Sequence, residues 1–366
     1  MVRYAGKQVL VTGGTGFVGG RLVERLILEE GASVRVLVKN WSKAVWVSRY
    51  RADLSAGDLL DPAALCEAVQ GCAVVFHCAS GPAANGGYRR TNIEGTRNLL
   101  DACKASGVER LVYISSTAVH GPNPLGTLTE EAPYVLLGRD YSDSKVETEK
   151  LIFAFGRDHD LPVSVLRPSF IWGPRSHLFT MRQLREMKNG TFRYIDEGSG
   201  ACNAIYVDNL VDAMLRAGTR PEAVNEAFLI TDGLEITWKD FFGQYATLLG
   251  IERLPSLSSE SAVTVAACRL VDQLRGILDR LQGNPAPFPR KVVRRTVRIL
   301  LTELEKRYCS YWDMEKYARK ERIDISKARR LLGYAPSYGL CEGMRDTLAW
   351  VKDQMGWELG LTTHEE

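Results

Sequence analysis

Short apolar runs alternate with amphipathic stretches through the first half of the chain. Val9, Leu10 and Val11 form a run that stops abruptly in glycines, and GFVGGRLVERLILEEG follows with Val18, Leu22, Leu26 and Leu28 at helical spacing. SVRVLV, a short stretch near Ala52–Ser55, CAVVFHCAS, ERLVYISST and LPVSVLRPSF read as further strands. DPAALCEAV reads as a helix with Asp61 as N-cap and Pro62 at its first position. TNIEGTRNLLDACKASG, closed by Gly107, and DYSDSKVETEKLIFAFGRD are the next helices. This alternation predicts an α/β fold: a doubly wound parallel sheet with helices on both faces and a ligand at the carboxyl ends of the strands.

After Pro174 the rhythm breaks. FRYIDEG and AFLITDG are short apolar runs and VDNLVDAMLRA is helical, which predicts a smaller α+β region. The division expected is a nucleotide-binding domain over 1–174 and a substrate-binding region over 175–366, its segments partly interleaved with the first, with a helical insert at about 258–320. That insert carries RKVVRRTVRILLTELEKR, where Val293, Val297, Leu300, Leu301 and Leu304 lie near one helical stripe and arginines lie elsewhere. Such a helix faces a core, or it lies at a membrane interface through residues 289–306.

Composition narrows the class. The chain has 366 residues, enough for a substantial core, and a net charge of +3, too small to argue for nucleic acid. Its 8 cysteines form no C-x-x-C pair and its 5 histidines are scattered, so no metal site is expected. MVRYAGKQVL lacks the apolar core of a signal peptide, and the expectation is a cytoplasmic protein with free thiols.

The glycines carry the first chemistry. Gly13, Gly16 and Gly19 are spaced G-x-x-G-x-x-G between a strand and a helix N-terminus, where free N–H groups and the helix dipole make an anion site. Further on, Tyr141 and Lys145 share one face of a predicted helix. A phenol is a poor base, but a neighbouring ammonium favours its phenolate, and such a tyrosine takes a proton from an alcohol or returns it to a ketone. Ser116, at the end of the preceding strand, is placed to hydrogen-bond the same oxygen.

Together with GDL (57–59), VFHCAS, TNIEGTRNLL, YISSTAVHG, YSDSK, LRPSFIWGP, YVDNLVDA and DISKARRLLGY, the TGGTGFVGG turn resembles the extended short-chain dehydrogenases/reductases. These include nucleotide-sugar epimerases and dehydratases, 3β-hydroxysteroid dehydrogenases and sterol-4-carboxylate 3-dehydrogenases. The resemblance implies a Rossmann-type fold and Ser116, Tyr141 and Lys145 as the catalytic group. It implies cofactor contacts from Thr12, Gly13, Thr15, Gly16, Phe17, Val18 and Gly19, with Asp58 and Leu59 near adenine. Cys78 and Ala79 would lie beside the phosphates and ribose, Lys145 on the nicotinamide ribose and Pro168 near the carboxamide. Asn92 is implied as structural or as support for a proton relay, and the family's habit of pairing through helices implies a homodimer.

An acidic residue at the end of the second strand binds the ribose 2′-OH of NAD. Here Val38 holds that place and Lys39 follows, so the expectation is NADP(H) over NAD(H). Sugar-nucleotide members show R-x-x-N where this chain has Phe170, and the branch resembled is the one acting on steroids. The expected function is therefore an NAD(P)-dependent oxidoreductase interconverting a secondary alcohol and a ketone on a hydrophobic sterol-like substrate, including oxidative decarboxylation of a 3β-hydroxy-4-carboxysterol. Ser80, Ser116, Tyr141 and Trp172 are its expected substrate contacts. The alternatives are a nucleotide-sugar epimerase or dehydratase with tightly held NAD, and a nucleotide-sensing protein of the same fold.

Overall fold

The computed structural model describes residues 3–81, 87–122, 126–281 and 288–361. Residues 82–86, within the loop SGPAANGGY, lie outside it, as do the side chains at 288–291 of the basic helix. Seven parallel strands form the main sheet: β1 (Gln8–Thr12), β2 (Ser33–Val38), β3 (Asp53–Ala56), β4 (Val74–His77), β5 (Arg110–Ile114), β6 (Val163–Pro168) and β7 (Glu226–Ile230). Their order is β3-β2-β1-β4-β5-β6-β7, so the direction of winding reverses between β1 and β4 and opens a crevice there.

Strand alternation divides the core. Val9, Val11, Val36, Phe76 and Ile114 point to one face, beneath α1 (Phe17–Leu28) and α5 (Val207–Ala217), which bring Leu22, Leu26, Leu210 and Met214. Leu10, Val75, Leu111 and Val165 point to the other, beneath α2 (Pro62–Val69), α3 (Gly95–Ala105) and α4 (Asp140–Asp158). Strands covered on both faces read as the near-continuous Val/Leu/Ile runs seen in the sequence. Asp61 caps α2, accepting from the Ala63 and Ala64 N–H groups, as its position before Pro62 suggested.

The main sheet also takes a strand from beyond Pro174. AFLITDG supplies β7, paired with β6 from Glu226↔Ser164 to Ile230↔Pro168, and α5 packs on the sheet beside α1. The rest of the second half gathers around aromatic rings: Trp172, Phe192, Trp238, Phe241, Phe242 and Tyr245 form one buried cluster. Helices α6 (Trp238–Leu248) and α10 (Leu340–Leu359) frame it.

The insert folds as a helical hairpin, α7 (Ala262–Arg280) and α8 (Phe288–Glu305), followed by α9 (Tyr311–Ala318). The stripe expected to face one side of α8 is divided. Val297, Leu301 and Leu304 pack with Val271 and Leu274 of α7, whereas Val293 and Leu300 are each 48% exposed. No helix among the described residues is long and apolar enough to cross a membrane.

Candidate active site

The chain turns immediately after β1 through Gly13, at φ +71°, a conformation that favours glycine. A Cβ at Gly13 would stand 2.6 Å from the Ala79 nitrogen, and one at Gly19 would stand 2.4 Å from the Gly13 carbonyl oxygen. The bare backbone is thus required by close approach of β1, β4 and α1. α1 starts at Phe17 with no side-chain cap from Gly16, so its first N–H groups face the crevice with Thr15 and Val18 on the same turn. A cradle of this shape, stripped of side chains at a helix N-terminus, fits the pyrophosphate of a dinucleotide.

A polar tie that sequence reading missed braces the cradle. The Thr12 hydroxyl meets His77 Nδ1 at 2.7 Å, and His77 Nε2 meets the Thr96 hydroxyl at 2.8 Å. Burial, reinforced by the Lys145 charge, pushes His77 down to about 3, so its imidazole is neutral. Burial pushes the neighbouring Cys78 thiol up to about 12. At the far end of the crevice Lys39 pairs with Asp58 at 2.7 Å, next to Leu59. Against its partial burial, the Lys39 hydrogen bond and the Leu60 N–H hold the Asp58 carboxyl below the usual range.

At the carboxyl ends of β5 and β6 opens a cavity of about 400 Å³ whose wall includes Ser116, Tyr141, Ser142, Ser169, Phe170 and Tyr88. Tyr141 and Lys145 stand one turn apart on α4, as their spacing required. The phenol faces the cavity beside Ser116, its ring edge-on to Tyr88 at 5.3 Å. Burial raises the Tyr141 phenol above its ordinary value, while the Ser116 hydroxyl pulls it back down. Lys145 turns away from it. Its ammonium donates to the Ile114 carbonyl at 2.7 Å and lies 4.7 Å from the Tyr113 ring, on the crevice side near Cys78. Burial brings Lys145 down to about 8, with Glu149 opposing the shift.

Glu149 is one further turn along α4 and wholly buried, and sequence reading missed it. Its carboxylate accepts from Arg167 Nη2 at 2.7 Å and from the Tyr134 hydroxyl at 2.9 Å, and also from the Ser115 hydroxyl. Arg167 in turn reaches His120 Nε2 at 3.1 Å. The Tyr141, Lys145, Glu149 spacing was the available signal, since three polar residues on one face of a helix against a buried sheet need partners. Asn92 bridges two elements. Its amide donates to the Ser144 hydroxyl at 3.0 Å and accepts from the Gly81 N–H at 3.0 Å, tying α4 to the loop after β4.

Two expected substrate contacts are not in the cavity wall among the described residues. Trp172 is buried between Tyr206 and Phe241, and its indole N–H donates to Asp232 at 3.3 Å, so the aromatic core claims it. Phe170, two residues earlier on the same short strand, takes the cavity position. Ser80 donates to Asn92 at 3.3 Å, on the loop after β4. Pro168 ends β6 just before the cavity residue Ser169.

Comparison with known proteins shows the family. Residues 10–255 match the model of the 3-beta hydroxysteroid dehydrogenase/isomerase family. The chain is 30% identical over 354 residues to the 2-alkyl-3-oxoalkanoate reductase of Stenotrophomonas maltophilia, covering 92% of this chain and 97% of that one. It is 30% identical over 258 residues to the decarboxylating sterol-4-alpha-carboxylate 3-dehydrogenase of Bos taurus, covering 67% and 71%. Among solved structures, an epimerase from Methanothermobacter thermautotrophicus superposes with a TM-score of 0.70 at 24% identity, over 97% of this chain and 94% of that one. With its glycine cradle, its winding order and this match, the chain belongs to the 3-beta hydroxysteroid dehydrogenase/isomerase family, oxidoreductases within the extended short-chain dehydrogenases/reductases.

Proposed function

We propose that the protein interconverts a secondary alcohol and a ketone on a largely hydrophobic molecule, using a nicotinamide cofactor. The observation that carries this is the meeting of Ser116 and Tyr141 in the wall of an aromatic-lined cavity, with Lys145 behind them toward the glycine cradle. Thr12, Gly13, Thr15, Gly16, Phe17, Val18 and Gly19 would hold the cofactor's pyrophosphate, Asp58 and Leu59 its adenine end, and Cys78, Ala79, Lys145 and Pro168 its ribose and nicotinamide. When bound, that group supplies or accepts hydride.

The chain's own residues handle the proton. In reduction Tyr141 donates its phenolic proton to the ketone oxygen, and in oxidation it takes the proton of the alcohol. Ser116 orients that oxygen by hydrogen bonding. The neutral phenol favoured by burial is the form reduction needs. Oxidation needs the phenolate, which the Lys145 ammonium would stabilise by swinging from the Ile114 carbonyl toward the phenol one helical turn away.

Two relatives narrow the substrate. The names of the bacterial reductase and the bovine dehydrogenase both place a carboxylate on the carbon next to the oxygenated one. The substrate class proposed is therefore a hydrophobic β-hydroxy or β-keto acid, of sterol or long-chain type, and loss of CO2 after oxidation is an accessible outcome. Lys39, at the end of a β2 that lacks a carboxylate, supports NADP(H), its charge exchanging Asp58 for a 2′-phosphate.

The α7–α8 hairpin is assigned to a membrane surface. Val263, Leu270 and Ile277 stand exposed along α7, and Val292, Ile299 and Leu300 along α8, with Arg295 and Arg298 exposed beside them. Apolar side chains flanked by arginines suit the boundary of an anionic bilayer, from which a hydrophobic substrate would enter.

The test is nicotinamide absorbance on mixing the protein with NADP⁺ or NAD⁺ and a 2-alkyl-3-hydroxy fatty acid or a 3β-hydroxy-4-carboxysterol. Net reduction is expected. Nucleotide-sugar turnover with no net change in the cofactor would replace this reading with that of an epimerase.

A further inference from the structure

Four cations, Arg139, Arg182, Lys316 and Arg319, stand in the wall of the active-site cavity, and among the described lining residues there is no carboxylate. Each cation has an acidic partner set back from that wall. Arg139 donates to Glu315 at 3.1 Å, Arg182 to Glu186 at 2.7 Å, and Arg319 to Glu321 at 3.5 Å. Asp313 receives both the Lys316 ammonium at 2.6 Å and Arg182 at 3.1 Å, and it opens on a separate, smaller cavity of about 170 Å³. The active-site cavity is thus lined with positive charge whose counterions lie behind it.

Lys316 is the most buried of the four and the most enclosed by rings. Its ammonium lies 4.3 Å from the Trp312 ring, 4.2 Å from Tyr317, 5.3 Å from Phe179 and 5.9 Å from Phe170. Phe170, two residues beyond the end of β6, is thus a shared neighbour of this ammonium and of the cavity. A desolvated cation among aromatic faces costs free energy to hold, and one carboxylate shared with Arg182 offsets only part of it. An anion arriving from the cavity would give this ammonium a second partner beside Asp313. Phe170, Phe179, Leu137, Leu178 and Trp312 make the remaining wall apolar, which suits a hydrocarbon carrying one acidic group better than a ribose diphosphate.

We propose that Lys316, supported by Arg182 and Arg319, binds the carboxylate of the hydrophobic substrate and sets the enzyme's preference for acids over neutral ketones and alcohols. This rests on the proposed oxidoreductase reading for the reaction, though not for the binding. The experiment pairs a 2-alkyl-3-hydroxy fatty acid with its methyl ester, in turnover and in quenching of tryptophan fluorescence, with a Trp312→Phe control to identify the reporter.

Wild-type protein is expected to favour the acid by at least about tenfold in kcat/KM, the scale of a hydrogen bond to a charged group. Lys316→Met should remove that preference by raising KM for the acid while the ester changes little. Because Lys316 is buried on Asp313, Arg319→Gln at the partly exposed edge provides a second variant, with a smaller loss in the same direction. Equal use of acid and ester by the wild type, or equal losses for both in the variants, overturns the proposal. Saturable acid binding that Lys316→Met weakens, without turnover of either compound, upholds the anion site and rejects the oxidoreductase reading. Binding of uridine diphosphate that is tighter than the acid and lost in Lys316→Met assigns the wall to a diphosphate and overturns the carboxylate.

Discussion

The two walls that meet at the cavity are built by different means. On the sheet side, position comes from backbone: a turn at Gly13 that no Cβ can enter, a helix N-terminus left uncapped, and a phenol and an ammonium one helical turn apart. On the other side, helices from the second half bring rings and charges, with Phe179 and Arg182 on one segment and Trp312, Lys316 and Arg319 on another, well separated in sequence. Chemistry that depends on local geometry is carried by short motifs, whereas substrate selectivity is assembled from distant segments.

The largest expected effect lies on the sheet side. Tyr141→Phe should cut turnover by about a thousandfold, the range for loss of a general acid–base, with cofactor affinity unchanged in equilibrium titration. Similar losses in both would mean the tyrosine serves structure instead. Gly13→Ala comes next. It forces a side chain toward the Ala79 nitrogen at positive φ, so cofactor binding should weaken about a hundredfold by calorimetry, while strain costs the fold about 1–3 kcal/mol.

Glu149→Gln sharpens the contrast from beneath the site. It leaves buried Arg167 without its carboxylate and should cost about 3–5 kcal/mol in urea denaturation. It also removes the charge that holds Lys145 up. Activity that needs the Lys145 ammonium is full below pH about 8 and falls as pH rises through that value, since the amine then loses its proton. In the variant the fall should begin at lower pH, and an unmoved alkaline limb would separate Lys145 from that titration.

Effects at the periphery should be smaller. Lys39→Asp removes the cation at the end of β2, and the ratio of NADP to NAD efficiency should drop about tenfold, roughly 1.4 kcal/mol. On the hairpin, Ile299→Glu with Leu300→Glu should abolish sedimentation with phosphatidylglycerol vesicles while activity on a micelle-free substrate stays within about twofold. Retained sedimentation would show that another surface meets the lipid.

How much of this was legible follows the same division. The parallel sheet, the helix bounds of α4, the Asp61 cap and the glycine turn each rest on residues close in sequence, where periodicity and steric demand act directly. β7 comes from beyond Pro174, and a short apolar run does not say which sheet it joins. Trp172 was expected at the substrate. Its chemistry suits that place, yet the hydrogen bond to Asp232 that buries it comes from 60 residues away. The cationic wall was invisible for the same reason, as Arg182 and Lys316 meet only through Asp313.

Hydride transfer at this cavity is tested most directly by following a label. A 2-alkyl-3-hydroxy fatty acid carrying deuterium on the hydroxyl-bearing carbon is incubated with the protein and NADP⁺, and the nicotinamide is examined by mass spectrometry. One deuterium in the reduced cofactor, absent with Tyr141→Phe, is the expected result. Unlabelled nicotinamide with wild-type protein, or label found only in a nucleotide sugar inverted at the reacting carbon when such a substrate is supplied, would contradict it.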